Sequence, residues 1–120
     1  MDIRIQRAYD DPAPGDGYRV LVDRVWPRGR SRQQLALAAW AKDLAPSTAL
    51  RQWFGHRPER WNAFRTRYLA ELAATSARAQ LHALRTAAGR GPLTLVYSAR
   101  DTIHNQAVVL REALRALARR

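Results

Sequence analysis

A chain of 120 residues, 47% of them hydrophobic, has the length and the apolar content of one packed domain. Its net charge of +11 comes from 21 basic and 10 acidic residues, and the lack of cysteine excludes disulfides, thiolate metal ligands and cysteine nucleophiles. Because the N-terminus lacks a signal-like apolar core and no apolar run approaches the roughly 20 residues that cross a bilayer, we expect a cytoplasmic protein that does not contact a membrane.

Two strands and a loop are predicted near the N-terminus. Residues 3–8 alternate weakly between apolar and polar side chains, whereas residues 18–25 contain a Val-Leu-Val run typical of a strand buried on both faces. Proline and glycine in residues 11–17 disfavour pairing, so this stretch is a loop.

Short elements follow in the next thirty residues or so. Ser31 can cap a short helix that reaches about Leu35, because its hydroxyl can accept from a free backbone N–H group. Residues 37–41 predict a third, alanine-rich strand. Ser47 caps a second short helix that ends at Gly55.

The second half of the chain predicts three helices and one strand. Pro58 begins a helix whose large apolar residues repeat at three- and four-residue spacing, and Ser76 begins another. Residues 93–97 form the clearest buried strand, and the last helix begins near Asp101 or Thr102. Strands separated by helices favour parallel pairing, so we expect a small three-layer Rossmann-like α/β domain, a mainly parallel sheet flanked by helices.

Polar residues gather where the predicted strands end. In parallel α/β sheets, ligands bind beyond the carboxyl ends of the strands, so these residues form a candidate site. The second strand is followed by Asp23, Arg24, Trp26 and Arg28, the third by Lys42 and Asp43, and the last by Ser98, Arg100, Asp101, His104 and Asn105.

These segments resemble the YeaO-like proteins of the domain of unknown function 488 (DUF488) family. The matching stretches are residues 17–24, 26–29, 42–47, 51–56, 97–101 and 104–105, which include the Trp-Pro-Arg-Gly and Tyr-Ser-Ala-Arg-Asp motifs. The resemblance implies one Rossmann-like domain over residues 1–120 and brings no established activity. In the broader group the last strand leads to a Cys-His-Arg stretch, and the absence of cysteine here means that thiol chemistry cannot be carried over.

Arg24, Arg28 and Arg100 are a candidate anion clamp, because guanidinium groups bind phosphate and carboxylate bidentately. The alternative is a set of structural bridges, in which Arg24 pairs with Asp23 or Asp43, and Arg100 pairs with the aspartate that follows it. The two alternatives remain open at this stage.

Further ligand contacts are predicted for Lys42, Ser98 and Asn105. Trp26 offers a surface on which a base or sugar can stack, although large aromatic residues usually belong to the core. The chain has no glycine-rich phosphate fingerprint for NAD or ATP, so the cofactor stays unknown. No histidines have ligand spacing, and we predict no metal site.

Asp43, Asp101 and His104 are the candidate acid–base groups, because crowded carboxylates and a histidine can move protons near neutral pH. The alternatives are a helix cap at Asp101 and a hydrogen bond from His104 to a loop carbonyl.

The function that these residues favour is binding of an anionic small molecule, such as a nucleotide or a phosphorylated metabolite. If the protein is an enzyme, hydrolysis or group transfer suits the residues best. One alternative is a nucleic-acid-binding or transcription-regulatory module, since similar sequences often carry the label of MarR-type regulators, although the elements do not predict a winged helix. Non-specific nucleic-acid binding could follow from the basic charge alone, and a non-enzymatic interaction protein is a further alternative.

Overall fold

The computed structural model describes residues 1–117, which form a four-stranded parallel sheet in the order β1-β4-β2-β3. The strands are β1 (Ile3–Arg7), β2 (Tyr18–Leu21), β3 (Ala39–Trp40) and β4 (Leu93–Tyr97). The helices are α1 (Arg32–Leu35), α2 (Thr48–Phe54), α3 (Trp61–Leu72), α4 (Thr75–Ala88) and α5 (Gln106–Leu117). This is the predicted small three-layer Rossmann-like α/β domain; the last three residues of the predicted domain lie outside the described residues.

The two faces of the sheet are covered unequally. Val20 and Leu95 face the main core, which is completed by buried apolar residues of α2, α3, α4 and α5. Their strand neighbours Leu21 and Val96 point the other way and meet Leu35 of α1 in a much smaller cluster. Because side chains alternate along a strand, a central strand covered on both faces is mostly apolar, as the fully buried β4 is. Its polar Thr94 is accommodated because the hydroxyl donates to the carbonyl of Asp16 at 2.7 Å.

The strands and the middle helices differ in detail from the prediction. β3 is shorter than residues 37–41, because this edge strand has one neighbour and the chain enters a 3-10 turn at Lys42. β2 ends at Leu21, before the end of residues 18–25. Pro58 begins a 3-10 turn that leads into α3 instead of beginning the α-helix itself.

The last helix begins later than predicted, at Gln106. Asp101 Oδ1 accepts two backbone N–H groups of the turn that follows it, at 2.9 Å each, so the chain is held in a tight turn there. Asn105 then caps α5, since its Oδ1 accepts from Val108 N at 3.2 Å. The aspartate therefore caps a turn, and the asparagine caps the helix.

A buried ion pair lies at the amino end of β2. Gly17 has a φ of +68°, and a Cβ on it would lie 2.2 Å from the carbonyl oxygen of Pro92, so only glycine fits. Beside it, Arg19 Nη1 lies 2.6 Å from Asp16 Oδ2, and Arg19 Nε donates to the carbonyl of Leu35 at 2.9 Å. The Asp16–Arg19 ion pair therefore links the turn before β2 to β2 itself.

Candidate functional site

A cavity of about 520 Å³ opens at the carboxyl ends of β2 and β4, on the face covered by α2, α3 and α5. Its volume lies within the range of small-molecule sites. The wall consists of the segments that follow β2 and β4, the α2 region and Phe64 of α3. The cavity therefore lies where the strand-end rule predicts a site.

Most of the predicted site residues line this cavity, but four do not. Those that line it are Asp23, Arg24, Ser98, Arg100, Asp101, His104 and Asn105; those that do not are Trp26, Arg28, Lys42 and Asp43.

The four outlying residues belong to the opposite side of the sheet or to its surface. Trp26 packs edge-on against Trp40 at 5.4 Å between ring centroids, in the small cluster, and its Nε1 donates to the carbonyl of Arg30 at 2.6 Å. Lys42 Nζ lies 5.2 Å from the centroid of the Trp40 ring. Trp26 is therefore a packing residue. The polar residues Lys42 and Asp43, which follow the edge strand β3, lie outside the cavity. Arg28 and Asp43 are exposed.

Asp23 is a buried carboxylate held by neutral donors. Its Oδ2 accepts from Ser98 N at 3.0 Å and from Ser98 Oγ at 2.5 Å, and its Oδ1 accepts from Gln106 Nε2. Only 8% of the residue is exposed, and burial raises the pKa of its carboxyl although these hydrogen bonds and the charge of Arg51 oppose the rise. Within residues 1–117, no cation lies within ion-pair distance of this carboxylate.

Arg24 is held by backbone carbonyls and does not pair with Asp23 or Asp43. Its Nε donates to Pro46 O at 3.2 Å, and its Nη2 donates to Ala45 O at 3.3 Å. These two bonds hold the guanidinium in place, and no carboxylate of residues 1–117 forms an ion pair with it. A guanidinium has five N–H donors, so other donors stay free for a ligand.

Asp101 and His104 form a hydrogen-bonded pair on the cavity wall. Their Oδ2 and Nδ1 atoms lie 2.8 Å apart, and the two backbone N–H groups that also reach Asp101 lower the pKa of its carboxyl to about 2. A carboxylate at Nδ1 favours the tautomer with its proton there, which leaves Nε2 as the acceptor. The imidazole is further positioned by an edge contact with Trp61, at 5.3 Å between centroids.

Comparison with known proteins identifies the family. Residues 2–120 match the family model described as the inactive DUF488-N3 subclade. The chain belongs to the DUF488 family. It is 45% identical over 117 residues to the uncharacterized protein YeaO of Escherichia coli K12, covering 98% of this chain and 100% of that protein.

A second relative is the uncharacterized protein Rv3073c of Mycobacterium tuberculosis H37Rv, which is 42% identical over 112 residues, covering 93% of this chain and 92% of that protein. No solved structure matches this DUF488 chain. The family resemblance in the sequence is thereby confirmed. No helix within residues 1–117 is long and apolar enough to cross a membrane.

Sequence reasoning missed several residues that line the cavity of this DUF488 domain. Arg51 and Phe54 come from α2, Phe64 comes from α3, and Gln106 is the first residue of α5. His56, with a φ of +57°, follows a left-handed glycine and also lines the cavity. A signal existed for the α2 region, since residues 51–56 are among the stretches that resemble the family.

Proposed function

We propose that this DUF488 domain binds a phosphate- or carboxylate-bearing small molecule in the cavity. The observation that supports it is that three arginines from separate segments, Arg24, Arg51 and Arg100, line one cavity. None of them forms an ion pair with a carboxylate in the described part of the chain. Converging, uncompensated guanidinium groups attract an anion and can bind it with several charge-assisted hydrogen bonds.

The apolar part of the cavity favours an organic anion over an inorganic one. Phe54 and Phe64 stack at 4.4 Å between ring centroids, and both line the cavity. Only 6% of Phe54 and 2% of Phe64 is exposed, so these rings form a floor against which a sugar or a base can pack. The ligand is therefore an organic anion, and a nucleotide or a phosphorylated metabolite is the first candidate.

Binding without turnover suits the residues better than catalysis. The family model carries the description inactive, and Asp43, one of the three candidate proton carriers, is exposed outside the cavity. Both oxygens of Asp101 already accept hydrogen bonds, so this carboxylate orients its neighbours.

The direct test is a thermal-shift and calorimetric screen of nucleotides, sugar phosphates and dicarboxylates at physiological salt, since a ligand of the folded state raises the apparent stability. Arg51→Ala should weaken binding of a hit about tenfold, the effect of one hydrogen bond to a charged group. Arg28→Ala is the matched control, because it removes the same charge outside the cavity. The proposal is wrong if no anion binds, or if both variants weaken binding equally.

Proton transfer is the second candidate, and the Asp101–His104 pair supports it. A histidine whose Nδ1 is held by a carboxylate presents Nε2 as a general base, which suits hydrolysis or group transfer. If a hit of the screen is converted, His104→Gln should abolish turnover and spare binding. Turnover that survives this variant would exclude the pair as the base.

Nucleic-acid binding is a further alternative, and the net charge of +11 supports it. We expect only weak, sequence-independent binding that falls steeply as salt releases counterions. Arg28→Ala and Arg51→Ala should then weaken it to the same extent, which a filter-binding assay at two salt concentrations would measure.

A further inference from the structure

The cavity has two chemically different walls. Arginines supply hydrogen-bond donors and positive charge, whereas Asp23 supplies a carboxylate next to Ser98 and Gln106. A purely anionic ligand would be repelled by the carboxylate of Asp23, because like charges repel. A ligand that fills both walls must therefore carry a donor as well as an anionic group.

The hydrogen bonds of Asp23 leave room for one more donor. A carboxylate accepts about four hydrogen bonds, two at each oxygen. Oδ2 accepts two of them, from the N–H and the hydroxyl of Ser98, while Oδ1 accepts one, from Gln106 Nε2. Among the residues that the structure describes, one lone pair of Oδ1 therefore has no donor.

Within residues 1–117, no cation forms an ion pair with the same carboxylate. Its three partners are uncharged, and the field of Arg51 reaches it without a hydrogen bond between them. Removing a carboxylate from water costs free energy that neutral donors offset only in part. An ammonium or amino group from a ligand would supply the missing donor.

We infer that the ligand of the cavity carries an amino or ammonium group as well as an anion, and that Asp23 Oδ1 selects for that group. This inference rests on the proposed function, because the arginines hold the anionic end. The ligand class is an amino-bearing anion, such as an aminopurine nucleotide or a phosphorylated amine. Asp23 is a specificity-determining residue in this arrangement.

Matched pairs of compounds test the inference. Each pair differs by one amino group: adenosine 5′-monophosphate and purine riboside 5′-monophosphate, phosphoethanolamine and ethyl phosphate, and aspartate and succinate. Calorimetry with the wild-type protein should give about tenfold tighter binding of the amino member of at least one pair. Equal binding within every pair would overturn the inference and leave anion binding intact, whereas no binding by any compound would contradict both.

Asp23→Asn is the decisive variant. Its amide oxygen can keep both bonds from Ser98, while its amide nitrogen puts a donor in the place of Oδ1. Gln106, which donates to Oδ1 in the wild type, must then turn its own amide oxygen towards that nitrogen. The preference for the amino member should disappear, and binding of the desamino member should remain. A preference that persists in this variant would assign the selection to another residue and overturn the inference.

Two further variants separate selection from folding. Ser98→Ala removes a donor to Oδ2 and leaves Oδ1 unchanged, so the preference should persist even if the protein is less stable. Gln106→Met frees a second lone pair on Oδ1, so the preference should grow, and this measurement decides the matter if Asp23→Asn does not fold. A preference that is unchanged or lost in Gln106→Met would overturn the inference.

Discussion

Two buried aspartates stand at opposite ends of β2, each with an arginine nearby in sequence, and their environments differ. Asp16 is 7% exposed and pairs with Arg19 at 2.6 Å, whereas Asp23 is 8% exposed and does not pair with Arg24. The first carboxylate is neutralised inside the fold, and the second lies on a cavity wall with only neutral donors. Burial alone therefore does not distinguish a carboxylate that is paired inside the fold from one on a cavity wall; the partner does.

The largest expected effect is that of Arg19→Ala. It removes the cation from a buried carboxylate and should lower the free energy of unfolding by about 3 to 5 kcal/mol. Urea denaturation followed by circular dichroism measures this. A loss below about 1 kcal/mol would mean that Asp16 protonates or reaches water, and the contrast between the two aspartates would then fail.

Arg24→Ala should cost much less, on the order of 1 kcal/mol, because it removes hydrogen bonds to two carbonyls and leaves no carboxylate newly unpaired. The same denaturation assay compares it directly with Arg19→Ala. A loss as large as that of Arg19→Ala would show that Arg24 neutralises Asp23 in solution.

Asp23→Asn should change stability in a pH-dependent way. Burial raises the pKa of Asp23 above its usual value of 3.8, so the stability that the protonated form contributes is present below about pH 4 and is lost as pH rises through the folded-state pKa. The asparagine of the variant does not titrate, so the variant does not lose stability in this way. Its stability relative to the wild type should increase between pH 4 and pH 7, and a difference that is constant with pH would contradict the raised pKa.

Asp101→Asn should have the smallest effect, a loss of stability that is present above about pH 4 and disappears in acid. The pKa of Asp101 is lowered to about 2, so the stability that its ionised form contributes is present above about pH 4 and is lost as pH falls towards 2. Melting temperatures of the variant and the wild type should differ at pH 5 and converge near pH 2. Curves that stay parallel over this interval would exclude a role for the charge.

Local signals predicted much of the fold. The apolar run of residues 93–97 became the fully buried central strand β4. Ser31 and Ser47 cap α1 and α2, accepting from Gln34 N and Leu50 N. Such features depend on neighbours within a few residues, so the sequence contains the information that they need.

The position of the site was also predictable in part. The strand-end rule identified the segments after β2 and β4, because parallel strands place their carboxyl ends at one edge. The rule failed for Lys42 and Asp43, which follow the two-residue edge strand β3. The Lys42 side chain lies over the ring of Trp40 instead of lining the cavity. The rule gives the end of a strand but not the direction in which the following turn leaves the sheet.

The sequence by itself determined the fold class, the order of the elements and the family. Only the tertiary structure decided which charges meet. A hydrogen bond joins Asp23 to Gln106, 83 residues later in the chain. Arg51 reaches the cavity from α2, and the family resemblance of residues 51–56 did not indicate which of their side chains would line it. The reason is physical: pairing between distant side chains depends on the packing of whole elements, and adjacent charges in sequence, such as Asp23 and Arg24, point to different partners when the chain turns between them.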